Sequence, residues 1–61
     1  FYAQAIQTAY AYAAPNASAA PIGRFSQGDR VTVYAYNNAF AYVGAGEYRG
    51  FVELKYLRIV L

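Results

Sequence analysis

The chain has no cysteine, histidine, methionine or tryptophan, and only three acidic residues. Without cysteine there is no disulfide, and the redox compartment leaves no trace in thiols. Without cysteine and histidine the usual zinc and transition-metal sites have no soft ligands, so no metal and no cofactor are expected. No run of 18 or more apolar residues occurs, which excludes a transmembrane helix. Acids are confined to Asp29, Glu47 and Glu53, the first two at turn positions, and paired-carboxylate chemistry needs two acids across a cleft. Ser18 and Ser26 lack a histidine base and would depend on Lys55. Gly44-Ala45-Gly46 is not followed by a helix or by Lys-Ser/Thr, unlike a phosphate cradle. No catalytic residue is therefore assigned, and the chain is read as a non-enzyme.

What is present is apolar and aromatic. Of 61 residues, 59% are hydrophobic and 13% charged, with eight tyrosines and four phenylalanines. A domain this small buries only about 60% of the surface its unfolded chain exposes. So many tyrosines cannot all be interior, and their amphipathic rings suit a partner surface. Net charge is +2. The basic residues Arg24, Arg30, Arg49, Lys55 and Arg58 are spread along the chain, whereas nucleic-acid binders cluster them on one face. Nucleic acid is therefore disfavoured as a partner. The chain starts at Phe1, which fits a fragment, a processed product, a synthetic chain or a sequence traced from density. Ala3-Gln4-Ala5 has the small-x-small form of a signal-peptidase site, but no charged region or apolar core precedes it, and a strand is the better reading.

The pattern along the chain is that of short strands. Residues 1–14 alternate loosely through Tyr2, Gln4, Ile6, Tyr10 and Tyr12 and read as strand. Residues 14–21, bounded by Pro15 and Pro21, read as a loop. Residues 21–33 read as a diverging turn that feeds a strand, with Ile22 and Phe25 as anchors and Gly28 free to take positive φ. Residues 30–36 alternate cleanly, which places Val31, Val33 and Ala35 inward and Thr32, Tyr34 and Tyr36 outward. Asn37-Asn38 is a turn, 40–43 and 48–52 are strands, 53–56 a single 3₁₀ turn, and 57–61 a closing strand able to pair with the first.

This order of parts resembles the bacterial Src-homology-3-like family over about residues 8–58. Ala9 to Pro15 matches that family's first run, Pro21-Ile22-Gly23 its second, and Phe25, Gly28 and Val31-Thr32-Val33 follow in place. Phe40 stands at its first tryptophan, Gly50-Phe51-Val52 at Gly-Trp-Val, and Tyr56-Leu57 at its closing pair. Ala9, Ala11 and Tyr12 depart from the pattern, and both tryptophan positions hold phenylalanine. The resemblance implies an all-β, five-stranded Src-homology-3-like barrel with one 3₁₀ turn near the C-terminus. The domain would be single, 1–61, with 1–7 an N-terminal strand or extension. It further implies a non-catalytic, extracytoplasmic targeting module (periplasm, cell wall or secreted) for peptidoglycan or its peptides. By position the ligand groove would be lined by Tyr10, Tyr12, Phe40 and Tyr56, with Asn16 and Asn38 orienting the ligand.

Two other readings stay open. Tyr34, Tyr36 and Tyr42 form an outward stripe on the 31–43 hairpin, which fits cross-strand stabilisation or contact with neighbouring protein subunits of a larger assembly. Thr8-Ala9-Tyr10-Ala11-Tyr12 also echoes the Ala-Leu-Tyr-Asp-Tyr motif of the polyproline-binding branch, but residues 15–21 carry no acid and Glu53 replaces the groove proline.

Overall fold

The computed structural model describes residues 1–60; Leu61, the last residue of the expected closing strand, lies outside them. Seven antiparallel strands form one sheet: β1 (Tyr2–Ala5), β2 (Ala9–Tyr12), β3 (Pro21–Phe25), β4 (Arg30–Tyr36), β5 (Phe40–Ala45), β6 (Tyr48–Glu53) and β7 (Leu57–Val60). A single 3₁₀ turn, Leu54–Tyr56, joins β6 to β7. The spatial order is β3-β2-β6-β5-β4-β1-β7. The all-β class and the 3₁₀ turn stand. The five-stranded closed barrel does not: the sheet has seven strands and two free edges.

Two local events account for the extra strands. The 1–14 run breaks at Ile6-Gln7-Thr8 into β1 and β2, which sit in different parts of the sheet. β1 lies between β4 and β7, so the expected pairing of the first and last strands is formed, Ala3 opposite Ile59 and Ala5 opposite Leu57. β2 lies between β3 and β6. Residues 21–25, expected as a diverging turn, instead form a full strand against β2, with Ala9 opposite Phe25. The turn beyond it is as expected: Gly28 has φ of 93°, and the Asp29 carboxylate accepts the Ser26 N–H at 2.8 Å.

One face of the sheet supplies the whole core. Ala3, Ala5, Ala9, Ala11, Phe25, Val31, Val33, Ala41, Val43 and Val52 form a continuous buried cluster drawn from six strands. Leu57 of β7 packs against it. With no second layer, a sheet can bury one such cluster only by curling around it. The side chains permit a tight curl. Half the cluster is alanine, and the largest fully buried side chains are valines. Phe25, from the β3 edge, reaches Tyr48 of β6 with ring centroids 5.5 Å apart, filling space the small residues leave.

A β-bulge in β4 corrects the expected facing of the second half of that strand. Val33 pairs with Val43, but the next pair is Ala35 with Tyr42, then Tyr36 with Ala41. Tyr34 is the extra residue. A one-residue slip flips every later side chain to the other face. Ala35, expected inward, is exposed on the outer face, and Tyr36, expected outward, stands opposite core residue Ala41.

Candidate functional site

The outer face of the sheet carries a row of aromatic rings that crosses four adjacent strands. Its order follows from the register. Ala11 and Ala41 both pair with Val52, and all three are fully buried on the inner face. Their neighbours Tyr12 and Tyr42 both pair with Phe51, on the outer face. Phe51 thus lies between two tyrosines. Its ring centroid is 4.9 Å from that of Tyr42, which lies 5.9 Å from Tyr34 of the bulge. Tyr12 meets Phe40 edge-on at 6.3 Å. Offset and edge-to-face rings at these distances contribute about 0.5–1.5 kcal/mol per pair beyond burial.

Glycine and arginine complete one end of the row. Gly44 shares the outer face with Tyr42, and a methyl group there would fall 2.8 Å from the Tyr34 ring and 2.9 Å from the Arg49 side chain. The missing side chain lets both lie down over the β5 backbone. The Arg49 guanidinium sits 4.9 Å from the Tyr34 ring centre, a cation–π contact, and donates to the Gly46 carbonyl at 2.8 Å. At the other end, Pro15, Ala35, Tyr36, Asn37, Phe40, Tyr42 and Phe51 line an open depression of about 190 Å³. The Ala35 flip makes it: a larger residue there would fill the floor.

The expected groove residues do not come together as a set. Tyr12 and Phe40 are in contact, but Tyr10 lines a separate depression with Pro21, Ile22 and Arg24, and Tyr56 packs against the core cluster beside Lys55. The Asn16 side chain accepts the Ser18 N–H at 3.0 Å and is occupied in shaping its own loop. Asn38 is exposed; its neighbour Asn37 organises the turn, accepting the N–H groups of Ala39 and Phe40 at 2.8 Å each. That pair of bonds fixes the start of β5 and the direction of Phe40. Of the hairpin stripe, Tyr34 and Tyr42 stack, whereas Tyr36 departs to meet Phe1 edge-on at 5.7 Å.

Phe51 is the residue that sequence reasoning undervalued. It joins two sets that the sequence presented as separate, the groove and the hairpin face. The available signal was parity: Val52 reads as core, so Phe51 must point outward. The acids are dispersed, with Asp29 in the β3–β4 turn, Glu47 in the β5–β6 turn, and Glu53 paired with Lys55 at 3.4 Å at the end of β6. No helix among the described residues is long and apolar enough to cross a membrane. No protein-family model matches the chain, and neither curated proteins nor solved structures provide a match.

Proposed function

We propose that the chain is a non-catalytic binding module whose outer aromatic row engages an extended ligand of the peptidoglycan class, glycan or stem peptide. The reading is supported above all by the continuity of the row from Tyr34 through Tyr42 and Phe51 to Tyr12. Flat rings stack on the C–H faces of sugars or on peptide planes, and tyrosine hydroxyls at the rim satisfy ligand polar groups. The depression beside Asn37 would take one protruding substituent. An extracytoplasmic location belongs to the same proposal and rests on the family resemblance.

Co-sedimentation with purified cell-wall sacculi tests it. The intact chain is expected to be retained, and Phe51→Ala to lower retention by at least about tenfold, the loss typical of a central aromatic anchor. Far-ultraviolet circular dichroism verifies that the variant is folded. Absence of retention, or retention unaffected by Phe51→Ala and Tyr42→Ala, overturns the proposal. A second reading, a structural subunit of a larger assembly, is favoured by one observation. Phe1, Tyr2, Ile22, Tyr36 and Ile59 are all at least 45% exposed on a very small surface. Concentration-dependent sedimentation without sacculus binding would decide for it.

A further inference from the structure

The sheet has two free edges, and they are unlike. The β3 edge begins with Pro21, which has no N–H to offer, and proline is a common device for blunting an exposed edge. The β7 edge has no proline. Which of its backbone groups are open follows from the hydrogen bonding of β1. The Val33 N–H donates to the Phe1 carbonyl and the Ala5 N–H to the Asp29 carbonyl, so odd residues of β1 bond toward β4. The Ile6 N–H donates to the Tyr56 carbonyl at 2.9 Å, so even residues bond toward β7. Antiparallel ladders alternate. Arg58 therefore bonds to Gln4, and the N–H and C=O of Ile59, opposite Ala3, point away from the sheet. The Leu57 N–H, which shares that side, is closed by the Leu54 carbonyl of the 3₁₀ turn.

The two faces beside this edge differ sharply. On the inner face Phe1, Tyr36, Leu54, Leu57 and Ile59 line an open apolar hollow of about 500 Å³. It exists because the sheet does not close and because the β4 bulge turns Tyr36 inward. On the outer face, strand register sets Arg30, Gln4 and Arg58 in one row across β4, β1 and β7. Among the described residues neither arginine has a carboxylate partner; the ion pair present is Lys55–Glu53. The edge thus combines open main-chain groups, an apolar inner side and a cationic outer side.

We propose that the β7 edge takes an extended segment of another protein in which apolar and acidic residues alternate. The segment adds as an eighth strand, exchanging hydrogen bonds with Ile59. Its apolar side chains enter the hollow, and an acidic one meets Arg58. Period-two alternation in a strand is what delivers the two chemistries to opposite faces. This site is separate from the aromatic row, so either reading can fail alone.

The probe is a capped seven-residue peptide alternating valine and glutamate, with a valine–lysine peptide as its charge-reversed control, followed by fluorescence anisotropy and amide hydrogen exchange. The glutamate peptide is expected to bind at least about tenfold more tightly than the lysine peptide, and Arg58→Glu to reverse that preference. On saturation the Ile59 amide is expected to exchange at least about tenfold more slowly. A chemically synthesised chain N-methylated at Ile59 loses a donor that the fold does not use, and is expected to bind about tenfold more weakly while melting as the unmodified chain does. Equal affinity for the two peptides, no binding at millimolar peptide, or indifference to N-methylation overturns the proposal. So does protection of the Ile59 amide without peptide in a concentration-dependent dimer, which would show a second copy of this chain on the edge.

Discussion

Tyr48 holds the one buried side-chain polar atom without a hydrogen-bond partner among the described residues, its hydroxyl oxygen. The ring packs on Phe25 and the hydroxyl is directed at Gly23, where a methyl group would come within 2.6 Å of the ring carbon bearing it. A buried hydroxyl with no partner costs about 1–3 kcal/mol relative to a solvated one. Tyr48→Phe removes that cost and leaves a void the size of one oxygen, so a net gain of about 1 kcal/mol is expected. In a domain of this size each kcal/mol moves Tm by about 4–8 °C. Urea titration of both proteins measures the difference, with an unchanged m value showing that the denatured state is not the source. The pH dependence supplies a second reading. Desolvation by burial raises the Tyr48 pKa above its ordinary value of 10.0. Above about pH 10 the unfolded chain releases this proton while the folded chain still holds it. Stability from this group is therefore complete below pH 10 and is lost as pH rises through the raised folded value. The phenylalanine variant has no such loss, so its advantage should widen above pH 10. A loss of 1 kcal/mol or more in the variant near pH 7, or a gap that stays constant to pH 11, would refute the reasoning (the hydroxyl would then have a partner).

Two further outcomes follow from the turn and the glycines. Asn37→Ala removes the acceptor of two backbone N–H groups and is expected to cost about 1–2 kcal/mol by urea unfolding, whereas Asn37→Asp keeps the acceptor and should cost less than half as much. Gly23→Ala and Gly44→Ala separate a fixed obstacle from a movable one. The first meets the packed Tyr48 and should cost about 1–3 kcal/mol; the second meets exposed Tyr34 and Arg49, which can swing aside, and should cost under about 1 kcal/mol while reducing the Tyr34–Tyr42 stacking seen in the near-ultraviolet dichroism.

How the chain folds was readable wherever a residue has an individual backbone requirement. Gly28 marked the turn before β4, Pro15 and Pro21 bounded the first loop, and Val31 to Val33 announced both a strand and its buried face. The break between β1 and β2 was not readable, for a physical reason. Inward residues fall at Ala3, Ala5, Ala9 and Ala11, so the odd-numbered parity continues straight across Ile6-Gln7-Thr8, and no glycine, proline or asparagine marks the change of direction. The β4 bulge is equally silent, since Tyr34-Ala35-Tyr36 alternates as a regular strand would and only pairing with β5 shows the extra residue.

Composition and local pattern by themselves determined an all-β chain with small inward residues and more aromatic surface than one core can hold. Those properties live in single side chains and in period-two alternation, which act within a few residues. Which tyrosines stand together, and whether the sheet closes, was decided only by tertiary structure. Phe51 joins Tyr12 to Tyr42 because β6 lies between β2 and β5, a neighbour relation made across 30 to 40 residues of chain. The hollow at β7 exists because a bulge turned Tyr36 and because two sheet edges did not meet. Strand order and register are properties of pairing between distant segments, and no residue carries them alone.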